Sequence, residues 1–354
     1  MYVLQFLLQE QIYKKNCTIV RNSKKNIRNN VMFQPILGSV TNRVYLPIMK
    51  ESYHICFTSH DEVMFRDMED HGMFVNLMAL RGYSQDTEIV VDSEMSTHVH
   101  MGIFSQDPQR YAANLRMSYT KYFNLKYDRE GRLGEKYTFQ LKIEGYMHQM
   151  VCQSYILRNG LHHGASATAL GYPFCSVRDL FVEDIGLVSE SPVSMSKADM
   201  LALLPRHAEF PDEYQMNEHG VFTRRSFMEI RRAEQYYGTP RNYLYQMNRL
   251  TDESWSKEQL KDGTGAPLTI GDIERADEKA ITQMLKNESG RYYSRTRMQD
   301  LDVCRLIDKD LLPSYCVPSV YLLTESQKKQ IARLLYNEFH LPEHQIRRCV
   351  VLPR

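Results

Sequence analysis

His98-Val99-His100 and, further along, Tyr155 with Asn159 are the residues of this chain whose types and spacing suit chemistry. On a strand, alternate residues share a face. His98, His100, Gly102 and Phe104 would then line one side, and Val99, Met101 and Ile103 the other, apolar one. Two imidazoles so placed can converge on one divalent cation, and Gly102 beside them would leave room for a ligand. The bland alternative is a pair of polar residues on a solvated sheet face. Tyr155 and Asn159 are four apart, so on a helix they sit one turn from each other, with His148 and Cys152 on the same stripe. A phenol and a carboxamide presented together can complete a metal and nucleophile site. The alternative is an interfacial tyrosine with an asparagine near a helix end.

The elements that must position these groups can be read from periodicity. Residues 52–60 and 87–95 read as strands, and 97–105 reads as the antiparallel neighbour of the latter across a tight turn. Residues 61–80 have helical spacing. Residues 107–127 form a well-signalled helix, with Asp107 to cap it, Pro108 in the first turn and a stripe of Tyr111, Leu115, Tyr119 and Tyr122. Residues 136–145 alternate like a strand. Residues 146–160 read as a helix ended by Gly160. After about residue 185 strands cease. Helices are expected at 196–204 and 224–238, then a glycine-rich loop at 261–272 and two short helices at the end. The expected fold class is α+β: an antiparallel sheet with helices on its faces, then an all-α extension.

Composition bounds the rest. The chain has 354 residues, 43% hydrophobic and 25% charged, with net charge +1, which suits a globular protein with a sizeable core and gives no global field to identify a partner. Seven scattered cysteines with no C-x-x-C pair argue against a disulfide framework and a cysteine zinc site; a reducing cytoplasm is the expected compartment. No apolar run reaches the ~18 residues of a membrane helix. Residues 1–31 carry Lys14, Lys15, Arg21, Lys24, Lys25 and Arg28. They read as a basic arm within a lead-in of residues 1–50, with Met32 as an alternative start.

Taken in order, these motifs resemble the single-tyrosine HUH transposases, and among them the transposases associated with repetitive extragenic palindromes. That family carries Met-Pro-Asn-His-hydrophobic-His where this chain has Met95-Ser96-Thr97-His98-Val99-His100. It often has Tyr-Thr-x-Tyr-Phe-Asn, matched by Tyr119-Thr120-Lys121-Tyr122-Phe123-Asn124. Its nucleophile helix reads Tyr-Ile-x-x-Asn-Pro, matched by Tyr155-Ile156-Leu157-Arg158-Asn159-Gly160. The resemblance covers roughly residues 50 to 180; the departures are Ser96-Thr97 for Pro-Asn and Gly160 for Pro. It implies a ferredoxin- or RRM-like HUH catalytic domain over 51–185, with 186–354 as a helical extension. It implies that His98, His100 and Asn159 hold Mg²⁺ or Mn²⁺ and that Tyr155 is the nucleophile. Attack would give a 5′-phosphotyrosine link on single-stranded, hairpin-flanked DNA, conserving the phosphodiester energy for strand transfer. His148 reads more readily as a surface residue than as a helper.

The DNA would be a polyanion, and residues 110–142 carry eight Lys or Arg against three acids. Arg110, Arg116, Lys121, Lys126, Arg129 and Arg132 are the candidate phosphate contacts. At the end of the chain, 324–352 has a helix-turn-helix look. Thr324 and Gln327 suit a capping box, Pro342 starts the second helix, and His344, Gln345, Arg347 and Arg348 would face DNA. The expected partners are single-stranded or hairpin DNA and no membrane, with a homodimer as an option. Two competing readings stand beside this one. A His-x-His metal hydrolase would need further ligands on later strands. A domesticated DNA-binding relative would no longer cleave.

Overall fold

The computed structural model describes residues 49–59, 61–248 and 298–352. The basic arm at 1–31, Met32 and the glycine-rich loop at 261–272 lie outside them. The first half of the described chain alternates strands and helices: β1 (Glu51–Thr58), α1 (Met68–Ser84), β2 (Glu88–Glu94), β3 (His98–Ser105), α2 (Pro108–Tyr127), β4 (Phe139–Lys142) and α3 (Tyr146–Leu157). The strands form one antiparallel sheet in the order β2-β3-β1-β4. Among the described residues no helix is long and apolar enough to cross a membrane.

Register decides which side chains meet, because a slip of one residue would turn every side chain to the other face. Here Thr58 pairs with His98, Cys56 with His100 and His54 with Gly102, while Ser93 on β2 pairs with His100. The histidines therefore share a face with His54, Cys56 and Thr58, and α3 covers that face. The other face carries Ile55, Phe57, Val99, Met101 and Ile103, all buried with Phe74, Leu115, Tyr119 and Phe123 of α1 and α2. Tyr119 donates its hydroxyl to the Met64 carbonyl at 2.7 Å, so the aromatic stripe of α2 is core.

Helix boundaries follow local chemistry. α2 begins with Asp107 as cap and Pro108 in the first turn, as its sequence signals require. The helix read over 61–80 begins instead at Met68, because Asp67 and Asp70 form a capping box there. The segment read as one helix over 224–238 is two, Arg224–Phe227 and α4 (Ile230–Tyr237). Between them the Glu229 N–H donates to the Ile89 carbonyl on β2 at 2.8 Å, and a helix cannot run through a residue whose donor is taken by a strand. α5 (Pro240–Asn248) follows.

The sheet's core continues past residue 185, taking in Phe222, Ala233, Tyr237 and Tyr243. Arg224 is buried and donates to Asp92 and Glu94 of β2, and Glu94 also meets His71 Nδ1 at 2.7 Å. Residues 298–352 build a second core around Val303, Ile307, Ile331, Leu335, Ile346 and Val350. Their terminal helices are α6 (Glu325–Phe339), with Thr324 and Gln327 in a capping box, and α7 (Glu343–Val350), with Pro342 before its first turn.

Candidate active site between β3 and α3

β3 and α3 bring the two motifs together. His98 Nε2 lies 3.2 Å from Asn159 Oδ1. The His100 and Tyr155 rings stand perpendicular with centres 5.4 Å apart, and the two strand histidines are 5.1 Å apart. His98, His100 and Asn159 are 0% exposed and Tyr155 is 2% exposed. The solvated-face alternative for the histidine pair is thereby excluded. As a hydrogen bond, the His98–Asn159 contact asks for a proton on Nε2; as a pair of donors to a cation, it asks for the lone pair there.

α3 ends earlier than its sequence suggests. It stops at Leu157 with Arg158 as cap, and a separate helical turn, Asn159–His162, follows. Gly160 does not terminate a helix. A Cβ there would stand 2.3 Å from the Tyr172 ring, and the Tyr172 hydroxyl is itself held by the Glu94 carbonyl at 2.6 Å. Glycine at 160 is thus a close-approach residue, and a proline ring has no space at this position. Gly102 also has a different job from the one expected. A Cβ on it would stand 2.9 Å from the Val91 side chain of β2, so its missing side chain admits that neighbour rather than a ligand.

Three further histidines join the cluster. His54 Nε2 is 2.9 Å from His100 Nδ1. The His163 ring is 4.9 Å from His98 and the His162 ring 5.9 Å from Tyr155. His162 and His163 are half-buried. The last two carried a signal in the sequence, since Leu161-His162-His163 follows Asn159 at helical spacing. His54 alternates with Cys56 on β1, but only the register puts it beside His100. His148, two turns before Tyr155, is half-buried.

The potential cation donors that converge in this cluster are His98 Nε2, a His100 ring nitrogen and Asn159 Oδ1. The Asn159 Nδ2 is buried with no hydrogen-bond partner. Among the described residues no three His, Cys, Asp or Glu side chains gather as a metal site. The nearby acids Asp92 and Glu94 lie on the opposite face and neutralise Arg224.

The basic residues divide sharply. Arg110, Lys121 and Arg132 are exposed. Arg116 donates to the carbonyls of Glu135 and Lys136 at 2.7 Å each. Lys126 is held by Asp67 and Asp70, and Arg129 by Glu62 and Asn124. These three brace the chain around α2. In α7, Gln345 is buried and donates to the Met298 carbonyl and Asp300. Arg348 donates to Asp300 at 2.7 Å. Both point into their own lobe, unlike the expected DNA-facing placement of these two; Arg347, beside Glu343, and exposed His344 remain at the surface.

No family model matches the sequence, and no curated protein matches it. Among solved structures, a REP-associated tyrosine transposase bound to a REP hairpin is similar at 16% identity and a TM-score of 0.34, over 46% of this chain and 97% of that one.

Proposed function

We propose that the protein is a metal-dependent, tyrosine-nucleophile DNA transposase or single-strand endonuclease acting on single-stranded, hairpin-flanked DNA. The observation that carries this reading is the meeting of His98 and Asn159 at 3.2 Å, with Tyr155 against His100. Two motifs far apart in the chain converge in one buried cluster. A divalent cation suits that donor set. Neighbouring ligands on a six-coordinate Mg²⁺ lie roughly 3 Å apart, and the donors are all neutral, so the full charge stays available for a phosphate. When bound, the cation would supply Lewis-acid polarisation of the scissile phosphate.

The chain's own residues do the rest. His98, His100 and Asn159 hold the phosphate-binding end of the cluster in place. Tyr155 attacks phosphorus through its phenolic oxygen. The new O–P bond to Tyr155 forms as the P–O3′ bond breaks, and the phenol proton is balanced by protonation of the departing 3′ oxygen. The free phenol, with a pKa near ~10, is a weak nucleophile at neutral pH, and His162 is a neighbouring imidazole outside the proposed ligand set. Arg110, Lys121 and Arg132, exposed on and after α2, offer the backbone contacts.

The test is incubation with labelled hairpin oligonucleotides and Mn²⁺, followed by denaturing electrophoresis. Wild type should give a protein–DNA adduct and Tyr155→Phe none. Absence of an adduct across a varied oligonucleotide pool would overturn the proposal, and an adduct that persists in Tyr155→Phe would move the nucleophile. The burial of the cluster favours one second reading, a DNA-binding relative that no longer cleaves. Wild type and Tyr155→Phe would then bind hairpin DNA alike and neither would form an adduct.

A further inference from the structure

His54 belongs to no motif of the sequence, yet it makes a close polar contact with His100. Its Nε2 lies 2.9 Å from His100 Nδ1, and it is 0% exposed. The two ring planes differ by 12° and their centres are 5.1 Å apart. That separation is the one expected when both nitrogens lie on the line joining the ring centres, roughly 1.1 Å from each. The imidazoles are therefore edge to edge in nearly one plane, with the lone pair of one nitrogen aimed along the N–H of the other. Face stacking at this nitrogen distance would bring the centres much closer.

We infer that His54 is a positioning residue for His100, accepting the His100 Nδ1 proton on its own Nε2 and leaving the distal nitrogen of His100 as a lone pair. The inference rests on the cation reading proposed above. A histidine binds a metal through one nitrogen only when the proton sits on the other, and a hydrogen-bond acceptor behind the ring fixes that choice. Carboxylates and carbonyls commonly serve as such acceptors. At this site β1 supplies an imidazole, so the cluster gains an oriented ligand without a negative charge that would repel phosphate. The register makes the contact possible: His54 pairs with Gly102, one step diagonal to His100. The Phe139 ring stands 5.8 Å from His54 and braces it from β4.

Two measurements on the full chain test this. In metal-free protein, ring ¹⁵N shifts of His100 should report a proton on Nδ1; a proton on Nε2 overturns the assignment. Mn²⁺ affinity, read by electron paramagnetic resonance, should fall about 10- to 100-fold in His54→Phe, which keeps an aromatic ring against Phe139 but no acceptor. His54→Gln, whose side-chain oxygen can accept, should recover part of that loss and guards against a folding defect in the first variant. Equal affinity in wild type and His54→Phe overturns the inference while leaving the cation reading intact. Wild type that binds no Mn²⁺, or His98→Ala with His100→Ala that binds as wild type does, removes the cation reading. The metal-free shifts then still decide the His54 assignment.

Discussion

Asp179 shows what burial does to a single side chain here. It is buried, accepts a hydrogen bond from the Ser189 hydroxyl at 2.7 Å, and burial pushes its carboxyl up to about 6, against an opposing pull from Arg224. The folded state therefore keeps the proton to a higher pH than the unfolded chain does. Stability falls as pH rises from about 4 to about 6, and the cost is complete above that window. Asp179→Asn keeps the acceptor oxygen and removes the titration. Urea unfolding should show the variant gaining about 2 kcal/mol on wild type between pH 4.5 and pH 7; parallel pH profiles would refute this. At this scale the sequence singled out His98, His100, Tyr155 and Asn159 by residue type and local spacing, and the fold brings those four together. It was silent on His54, whose partner is set by strand pairing. It did not show which groups hold Lys126, Arg129, Gln345 and Arg348, since residue type alone does not say whether water or another part of the chain will satisfy a polar group.

At the scale of elements, the turn after α3 is the sensitive point. Gly160 faces the Tyr172 ring so closely that any side chain displaces one or the other. Gly160→Ala should cost about 1–3 kcal/mol by overpacking, seen as a lower thermal midpoint, and should shift Asn159 away from His98. A variant as stable as wild type would show that the turn has slack. Tyr172→Ala in the same background should relieve the clash in part, while losing the bond to the Glu94 carbonyl. The elements themselves were largely legible. Strand alternation, the Asp107-Pro108 helix start and the Thr324–Gln327 capping box are local signals, and all appear where their chemistry puts them. Two of the misplaced boundaries share one cause. The start at Met68 and the break at Glu229 depend on which capping group or neighbouring strand captures a backbone donor, and helical periodicity does not encode that.

Across the whole molecule, well-made polar contacts tie the second core to the elements around the sheet. Arg66 is fully buried and its guanidinium grips Asp308 at 2.7 and 3.0 Å and the Cys349 carbonyl at 2.9 Å. Ser96, two residues before His98, donates to Asp300 at 2.7 Å, and Asp300 is held by Arg348 and Gln345. The C-terminal lobe thus reaches the turn that leads into the strand carrying the histidine pair. Arg66→Ala should destabilise by about 3–5 kcal/mol, because it empties a buried site and strands the groups it satisfied. Hydrogen exchange should quicken in 298–352 more than in β1–β3. A uniform change across the chain would mean that the lobe and the sheet unfold as one unit.

The sequence by itself determined the α+β class, the order of the elements and the identity of four of the cluster's chemical groups. Each of those follows from local rules of periodicity, capping and side-chain type. Tertiary structure alone decided which groups meet: the register that sets His54 against His100, the close approach of Gly160 to Tyr172, and the inward turn of Gln345 and Arg348. Those outcomes depend on the free energy of burying groups distant in sequence against one another, which no local pattern records.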